Sequence, residues 1–406
     1  MRTQSLLSGA ALGLVLSLAA GAPALAQDAP PATTITWKGA PEFSWGEFTF
    51  KPRGRVYLDH VGQDVDRATG PDFTASDSRI RTARLGVQGT WTDQWSYTAE
   101  VSINNGDANW EDLLLRYTPS DSVSVTVGNF KSLSLENLTS SRYTTFMERG
   151  AFADLIDAGR VMTLAGQVGG DNWSLAAGVH GDSINDADVA GDESSGMFAR
   201  AHFAPVHNAE TSVHLGGWVR SRERGDDTPF RYRVRNNTNF GDRYTDAGSS
   251  PLGAGESDTA LGLEGAVVWR SLSLQGEWAR VEADLTGGGE AEATGYYAFV
   301  SFFPTGERRR YDPSGGEFGR VSIRNPVTAG GPGAIELAAR YDNVDLTEFA
   351  GVAAAGEYSA VTLGANWYPF PYVRFMANYT DARNEAQVPT ADVDVRTFQL
   401  RAQFDF

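Results

Sequence analysis

The sequence predicts an all-β fold: a transmembrane antiparallel β-barrel of about sixteen strands, with some loops folded inward. Three observations lead there. Short segments alternate apolar and polar residues with a period of two. The connections between them are by turns tight and long, which is the barrel arrangement. After Ala26 no stretch approaches the ~20 consecutive apolar residues of a membrane helix, although the N-terminus reads as an export signal.

In that N-terminus Arg2 precedes an apolar run from Leu6 to about Ala20, and Ala24-Leu25-Ala26 forms a small-residue cleavage site. The run is short for a membrane anchor and lacks a stop-transfer flank. Residues 1–26 are therefore expected to be a signal peptide, with the mature chain starting at Gln27. Residues 27–46 form a Pro- and Thr-bearing lead-in, and 47–406 the barrel.

In the first strand Phe48, Phe50, Val56 and Leu58 share one face, opposite Thr49, Lys51, Arg53, Arg55, Tyr57 and Asp59. "WSYTAEVSI" (95–103), "YSAVTLGANWY" (358–368) and "YVRFMANYT" (372–380) divide in the same way. The last strand sets Phe398, Leu400, Phe404 and Phe406 against Thr397, Gln399, Arg401 and Gln403, so it is expected to close the barrel on the first strand near Phe48. A secreted sandwich also alternates. Here, however, the apolar faces are edged by Trp and Tyr like a lipid-facing band, and the other faces are too polar to bury dry. Water is expected inside.

"TDQ", "PSD", "GGD" and "YPFPY" are tight turns, whereas 62–77, 182–195, 223–256 and 382–394 read as long acidic outer loops. Two connections do not fit. Residues 304–333 are a long excursion on the tight-turn side, and 131–159 contain helical stretches such as "TTFMERGAFADLI".

The stretches "VGNFKSLSLENLTSSRYTTFMERGAF" (127–152), "GYYAFVSFFPTGERRRYDPSGGEFGRV" (295–321), "GAIELAARYDNVDL" (333–346) and "TLGANWYPFPYVRFMANYT" (362–380) resemble the phosphate-selective porin O/P family. The likeness runs from about Phe48 to Phe406. It implies a trimeric, water-filled, sixteen-stranded outer-membrane porin whose third long loop and one periplasmic-side excursion enter the lumen. It also implies passive passage of anions, phosphate among them, past inward arginines and a lysine cluster. The terminal Phe406 then resembles the signal read by the barrel assembly machinery. The implied partners are outer-membrane lipids, two further copies of the chain and small permeant anions.

A net charge of -17 and a pI near 4.7 argue against a nucleic-acid partner. The charges must be placed before they are summed. Lys51, Arg53, Arg55, Arg84, Arg116, Arg220, Arg222, Arg340 and Arg374 all take the inward parity, because Arg facing lipid at the bilayer midplane of a barrel costs roughly 2–4 kcal/mol. The competing reading of each is a salt bridge that braces the wall, and Glu336 with Arg340 is expected to be such a pair. Arg231, Arg233 and Arg235 alternate in "FRYRVR", within a segment that the family would place in an outer loop. The planar guanidinium fork suits oxyanions. With only Lys38, Lys51 and Lys131 present, a lysine cluster is impossible. Lys131, which opens the first odd excursion, is the constriction candidate, and Arg308 and Arg310 of the second could substitute for missing lysines.

The chain has no cysteine, no H-E-x-x-H and no strand-to-helix glycine motif, so no metal, cofactor or catalytic set is legible. His202 and His207 are expected to cap a tight turn. The expected function is an anion porin of a Gram-negative outer membrane. The alternatives are a non-selective diffusion porin and, further off, a barrel enzyme or adhesin.

Overall fold

A computed structural model describes residues 33–104, 107–157, 159–186, 191–225 and 229–406. The expected signal peptide lies outside the described residues, as does the first part of the lead-in.

Sixteen strands form the barrel. They are β1 Phe48–Arg67, β2 Phe73–Thr92, β3 Trp95–Asn104, β4 Asp107–Ser120, β5 Val123–Phe130, β6 Val161–Gly170, β7 Trp173–His180 and β8 Ser195–His207. The second half is β9 Thr211–Glu223, β10 Ala254–Trp269, β11 Leu272–Leu285, β12 Glu290–Phe302, β13 Ala334–Asp345, β14 Gly356–Phe370, β15 Val373–Ala386 and β16 Val393–Asp405. Each pairs antiparallel with the next, and β16 returns to β1, with Val393 opposite Arg67 and Asp405 opposite Arg55. The predicted parity holds. Along β1, Tyr57 and Asp59 turn inward at 2% and 5% exposure, while Leu58 between them stays 52% exposed.

Closure differs from the expectation in its position. The last strand meets β1 from Arg55 upward rather than near Phe48, and Phe406 exchanges both backbone hydrogen bonds with Gly54 at 3.0 Å. Below that point a short hairpin takes over: Thr34–Trp37 pairs with Pro41–Trp45, which in turn pairs with β1 from Phe43 opposite Phe50 to Trp45 opposite Phe48. The described part of the lead-in thus covers the edge of β1 from Phe48 to Phe50, below the point where β16 ends.

Two predicted loops are shorter than expected. The first strand pair runs unbroken to Arg67 and resumes at Phe73, and the last pair runs to Ala386 and resumes at Val393. Backbone pairing does not require apolar side chains, so these ladders continue past the point where the sequence turns acidic.

The interior departs furthest. Part of it is dry: Leu133, Phe146, Phe152, Leu155 and Ile156 of segment 131–160 pack with Tyr232 and Val234, with Leu346, Phe349 and Val352, and with inward wall residues such as Ala279, Val281, Ala293 and Tyr297. Small inward residues on β10 to β12 make room for this packing. Within the expected outer loop 223–256, residues 229–253 instead cross to the far wall. Asn237 donates to Asp342 (2.8 Å) and Thr362 (3.1 Å), and its carbonyl accepts from Gln399 (3.1 Å).

A side chain at Gly54 would meet the Phe406 ring, 2.6 Å from the position of a Cβ. Gly54→Val and deletion of Phe406 should therefore both lower the fraction of chain that reaches the folded, heat-modifiable barrel. A gel-shift assay on refolded protein checks this, and unchanged yields would show that the closing contact is dispensable.

Candidate functional site

Segment 131–160 leaves the wall after β5 and rejoins it at β6, and the residues that hold it across the lumen can be named. Helix α1, Leu135–Leu138, is capped by the Ser134 hydroxyl, which accepts from Asn137 N–H at 3.4 Å. Its first N–H groups, of Leu135 and Glu136, donate to the Glu277 carboxylate on β11 at 3.0 and 2.7 Å. Helix α2, Ala151–Leu155, lies on β12 and β13. A Cβ at Gly295 would come within 2.8 Å of the Leu155 side chain, so a larger residue there would require Leu155 to shift.

Arginines of the wall then fasten its backbone. Arg374 donates to Thr144 O (2.7 Å), Arg401 to Met147 O (2.6 Å), Arg340 to Glu148 O (3.0 Å) and Arg220 to Ile156 O (2.5 Å). Glu148 completes the attachment through Arg81 (2.8 Å) and Arg401 (2.9 Å). Burial raises the Glu148 pKa, but the two guanidinium groups outweigh it and hold the carboxyl down to about 2.

For several candidates the bracing role is therefore the observed one. Arg340 pairs with Asp342 at 2.7 Å and stands over Phe146, whereas Glu336 accepts from Asn366 and Tyr368. The expected Glu336–Arg340 pair is not formed, because Asp342 lies on the same inward row and on the other side of Arg340. Arg220 and Arg222 share Asp258, at 3.1 and 2.8 Å. Arg374 also bonds Gln403 at 2.8 Å. Arg308 is spent on the tight turn at Asn208 and on Ser212.

A second group is crowded with cations. Glu100, fully buried, receives Arg55 (2.9 Å), Arg53 (3.1 Å), Arg84 (3.4 Å) and Arg142 (3.4 Å). Arg84 also reaches Glu111 at 2.8 Å, and Arg160 reaches Glu111 and Asp112, both at 2.7 Å. Five arginines thus face three carboxylates. Lys131 lies beside them and donates to Asn137 at 3.2 Å. Burial, followed by Arg149, Arg160 and Arg84, pushes its ammonium well below the usual lysine range. An anion beside Lys131 would relieve that crowding. Lys51 is half-buried near the hairpin end of β1, close enough to Arg142 of this group to feel its charge.

The third group faces open space. Arg231, Arg233 and Arg235 do alternate away from the buried Tyr232 and Val234. Arg231 bonds Gly248 O at 3.1 Å and Arg235 pairs with Asp154 at 2.8 Å. Arg243 is near enough to Arg233 and Arg235 to feel both charges. Toward the tight-turn end Arg116 and Arg310 are exposed, and Arg116 donates to Thr126 Oγ1 at 3.1 Å.

Sequence reasoning missed Arg142, Arg149, Arg160 and Arg243. The first two lie within "SSRYTTFMERG", so their place in the same inward segment as Lys131 was the available signal. His207 does cap its turn through Ser212 (3.0 Å), but His202 is buried between Ser174 and Pro313 O.

The family model described as "Phosphate-selective porin O and P" matches residues 50–406. The chain belongs to this family. It is 30% identical over 402 residues to Porin O of Pseudomonas aeruginosa, covering 89% of each chain. It is 32% identical over 412 residues to an uncharacterised protein of Caulobacter vibrioides, covering 96% of this chain and 80% of the other. In fold it is similar to an anion-selective porin from Comamonas acidovorans (TM-score 0.51, 13% identity, 88% of this chain and all of the other). It is also similar to the trimer form of OmpT, an outer-membrane protein of Vibrio cholerae (TM-score 0.52, 13% identity, 89% of this chain and all of the other). This chain is an outer-membrane β-barrel porin.

In this porin Glu100 is a fully buried carboxylate that four guanidinium groups share. Glu100→Gln should destabilise the barrel by roughly 3 kcal/mol or more, because it leaves buried cations uncompensated. Urea unfolding in lipid vesicles measures that loss, and an unchanged midpoint would mean that water compensates these arginines instead.

Proposed function

We propose that this porin carries small anions, phosphate or related oxyanions among them, by passive diffusion across the outer membrane. One observation carries the reading. Cations outnumber the carboxylates they face at two levels of the lumen: Arg233, Arg235 and Arg243 with Asp154 and Asp246 at the mouth, and Arg53, Arg55, Arg84, Arg142 and Arg160 with Glu100, Glu111 and Asp112 at the crossing segment. In a low-dielectric channel even a modest excess focuses field and concentrates counter-ions. The acids that make the whole chain negative lie mostly at strand ends and in loops, where salt screens them beyond ~8 Å.

Guanidinium groups bind phosphate oxygens bidentately, which favours oxyanions over chloride. In this reading the protein acts as a channel and performs no catalysis. It is exported by its N-terminal signal peptide, inserted by the barrel assembly machinery through the strand ending in Phe406, and assembled as a homotrimer in outer-membrane lipid. The Vibrio trimer of the same fold supports the last point.

The purified protein in planar bilayers under a salt gradient should give an anion-selective reversal potential, and a cation-selective one would overturn the proposal. Phosphate added to chloride should reduce single-channel current. Replacing Arg233, Arg235 and Arg243 together by alanine should weaken that block about tenfold, the loss of roughly one charge-assisted pair. Block of the triple variant at the original concentration would show that the site lies elsewhere, with Lys131→Ala the next variant to measure.

A further inference from the structure

Within the excursion 303–333 the short strands Arg310–Asp312 and Glu317–Gly319 form a hairpin with two unlike faces. Tyr311 and Phe318 turn into a buried cluster with Leu135, Ala204, Ala266 and Val268. Their neighbours Arg310, Asp312 and Glu317 are left on the opposite face, the first two exposed and Glu317 half-buried. The hairpin is held in place: Phe318 N–H donates to Thr139 Oγ1 (3.2 Å), Arg200 to Gly316 O (3.0 Å), and the His202 ring bonds Pro313 O (2.9 Å). The charged face therefore stays turned toward the lumen.

The charges on it are unequally engaged. Asp312 Oδ1 accepts from Ser314 N–H (3.0 Å), the Ser314 hydroxyl (2.8 Å) and Gly315 N–H (3.2 Å), so it is tied to the turn. The Glu317 carboxylate has neither a hydrogen bond nor an ion pair among the described residues. Charged and titratable groups face it from every side: Asp312 on its own hairpin, Arg200 with His202 on β8, and Arg116 and Asp112 on β4. Arg200 is already committed to Glu264 at 2.7 Å, and Asp112 to Arg160 at 2.7 Å. Arg116 and Arg310 have no carboxylate within 4 Å among the described residues.

We propose that Glu317 sets how strongly this porin discriminates anions from cations, by switching the Arg116–Arg310–Asp312–Glu317 region of the lumen between neutral and positive. The proposal rests on the anion-channel reading. With Glu317 ionised, two guanidinium groups oppose two carboxylates and the region sums to zero. With Glu317 protonated, two oppose one and it carries +1. Burial first, then Asp312, push the Glu317 carboxyl up to about 7, against the pull of Arg200 and Arg116. A raised carboxyl is neutral below that pH and charged above it, so anion selectivity rises as pH falls through the neutral range.

The test is the anion-to-cation permeability ratio of the full-length refolded porin in bilayers, from reversal potentials in dilute potassium chloride at pH 5.5 and 8.5. The wild-type ratio should be about threefold higher at pH 5.5, the effect of one charge several ångströms from the path in water. Glu317→Gln should show the higher ratio at both pH values, and Glu317→Asp should keep a pH-dependent ratio. A Glu317→Gln porin that still shifts with pH like the wild type would overturn the proposal and move the switch to the histidines. Anion selectivity that is equal at both pH values would overturn it while leaving the anion channel intact. Cation selectivity in both proteins at both pH values would overturn the anion reading itself.

Discussion

An unpaired peptide group in hydrocarbon has nothing to bond to, and each such group costs several kcal/mol. Everything else in this barrel follows from the way that constraint is met between its first and last strands. The ladder from Val393–Arg67 to Asp405–Arg55, finished by the Phe406–Gly54 exchange, removes the last edge. Once the sheet is closed, parity assigns every strand residue to one of two surroundings. Arginine on the outer face at mid-membrane is expensive, so wall arginines such as Arg55, Arg220, Arg340, Arg374 and Arg401 go inside. There they need acceptors, and segment 131–160 supplies backbone carbonyls at Thr144, Met147, Glu148 and Ile156. The position of the segment across the lumen is thus in large part a consequence of where the wall arginines had to point.

This also explains which features were legible in the sequence. Strand number, parity and the two odd excursions follow from period-two alternation and turn residues, which are local signals. Phe398, Leu400 and Phe404 face out and Gln399, Arg401 and Gln403 face in, as their spacing requires. The dry interior was not legible, because nothing local distinguishes an inward Ala that faces water from one that faces Phe152 or Tyr232. Nor was the crossing of residues 229–253 to the far wall, which depends on single long-range bonds such as Asn237 to Asp342.

The candidate site was legible by residue type but not by role. Sequence places Arg55, Arg220, Arg340 and Arg374 inward correctly, yet each is bonded to a carboxylate, an amide or a loop carbonyl. Residues with charge to spare include ones at irregular positions, Arg233 and Arg243 in the mouth segment and Arg310 on the lumen hairpin, together with Arg116 on β4. Regular positions on a wall have regular neighbours, and an inward Glu or Asp close by neutralises many of them, as Asp258 does Arg220 and Arg222.

The shortage of lysine then has a physical meaning beyond composition. An ammonium taken out of water loses its proton far more readily than a guanidinium, which stays charged in almost any surroundings. Lys131 shows the difference, since burial and three neighbouring arginines push it well below its usual range. A constriction built from several lysines in so confined a space would lose charge as each was added. One built from arginines keeps its field, and its planar forks hold part of an oxyanion's hydration geometry as the ion passes. In the proposed anion channel a single lysine within such a set is the group whose charge would respond to occupancy, because a nearby anion raises the proton affinity of an ammonium.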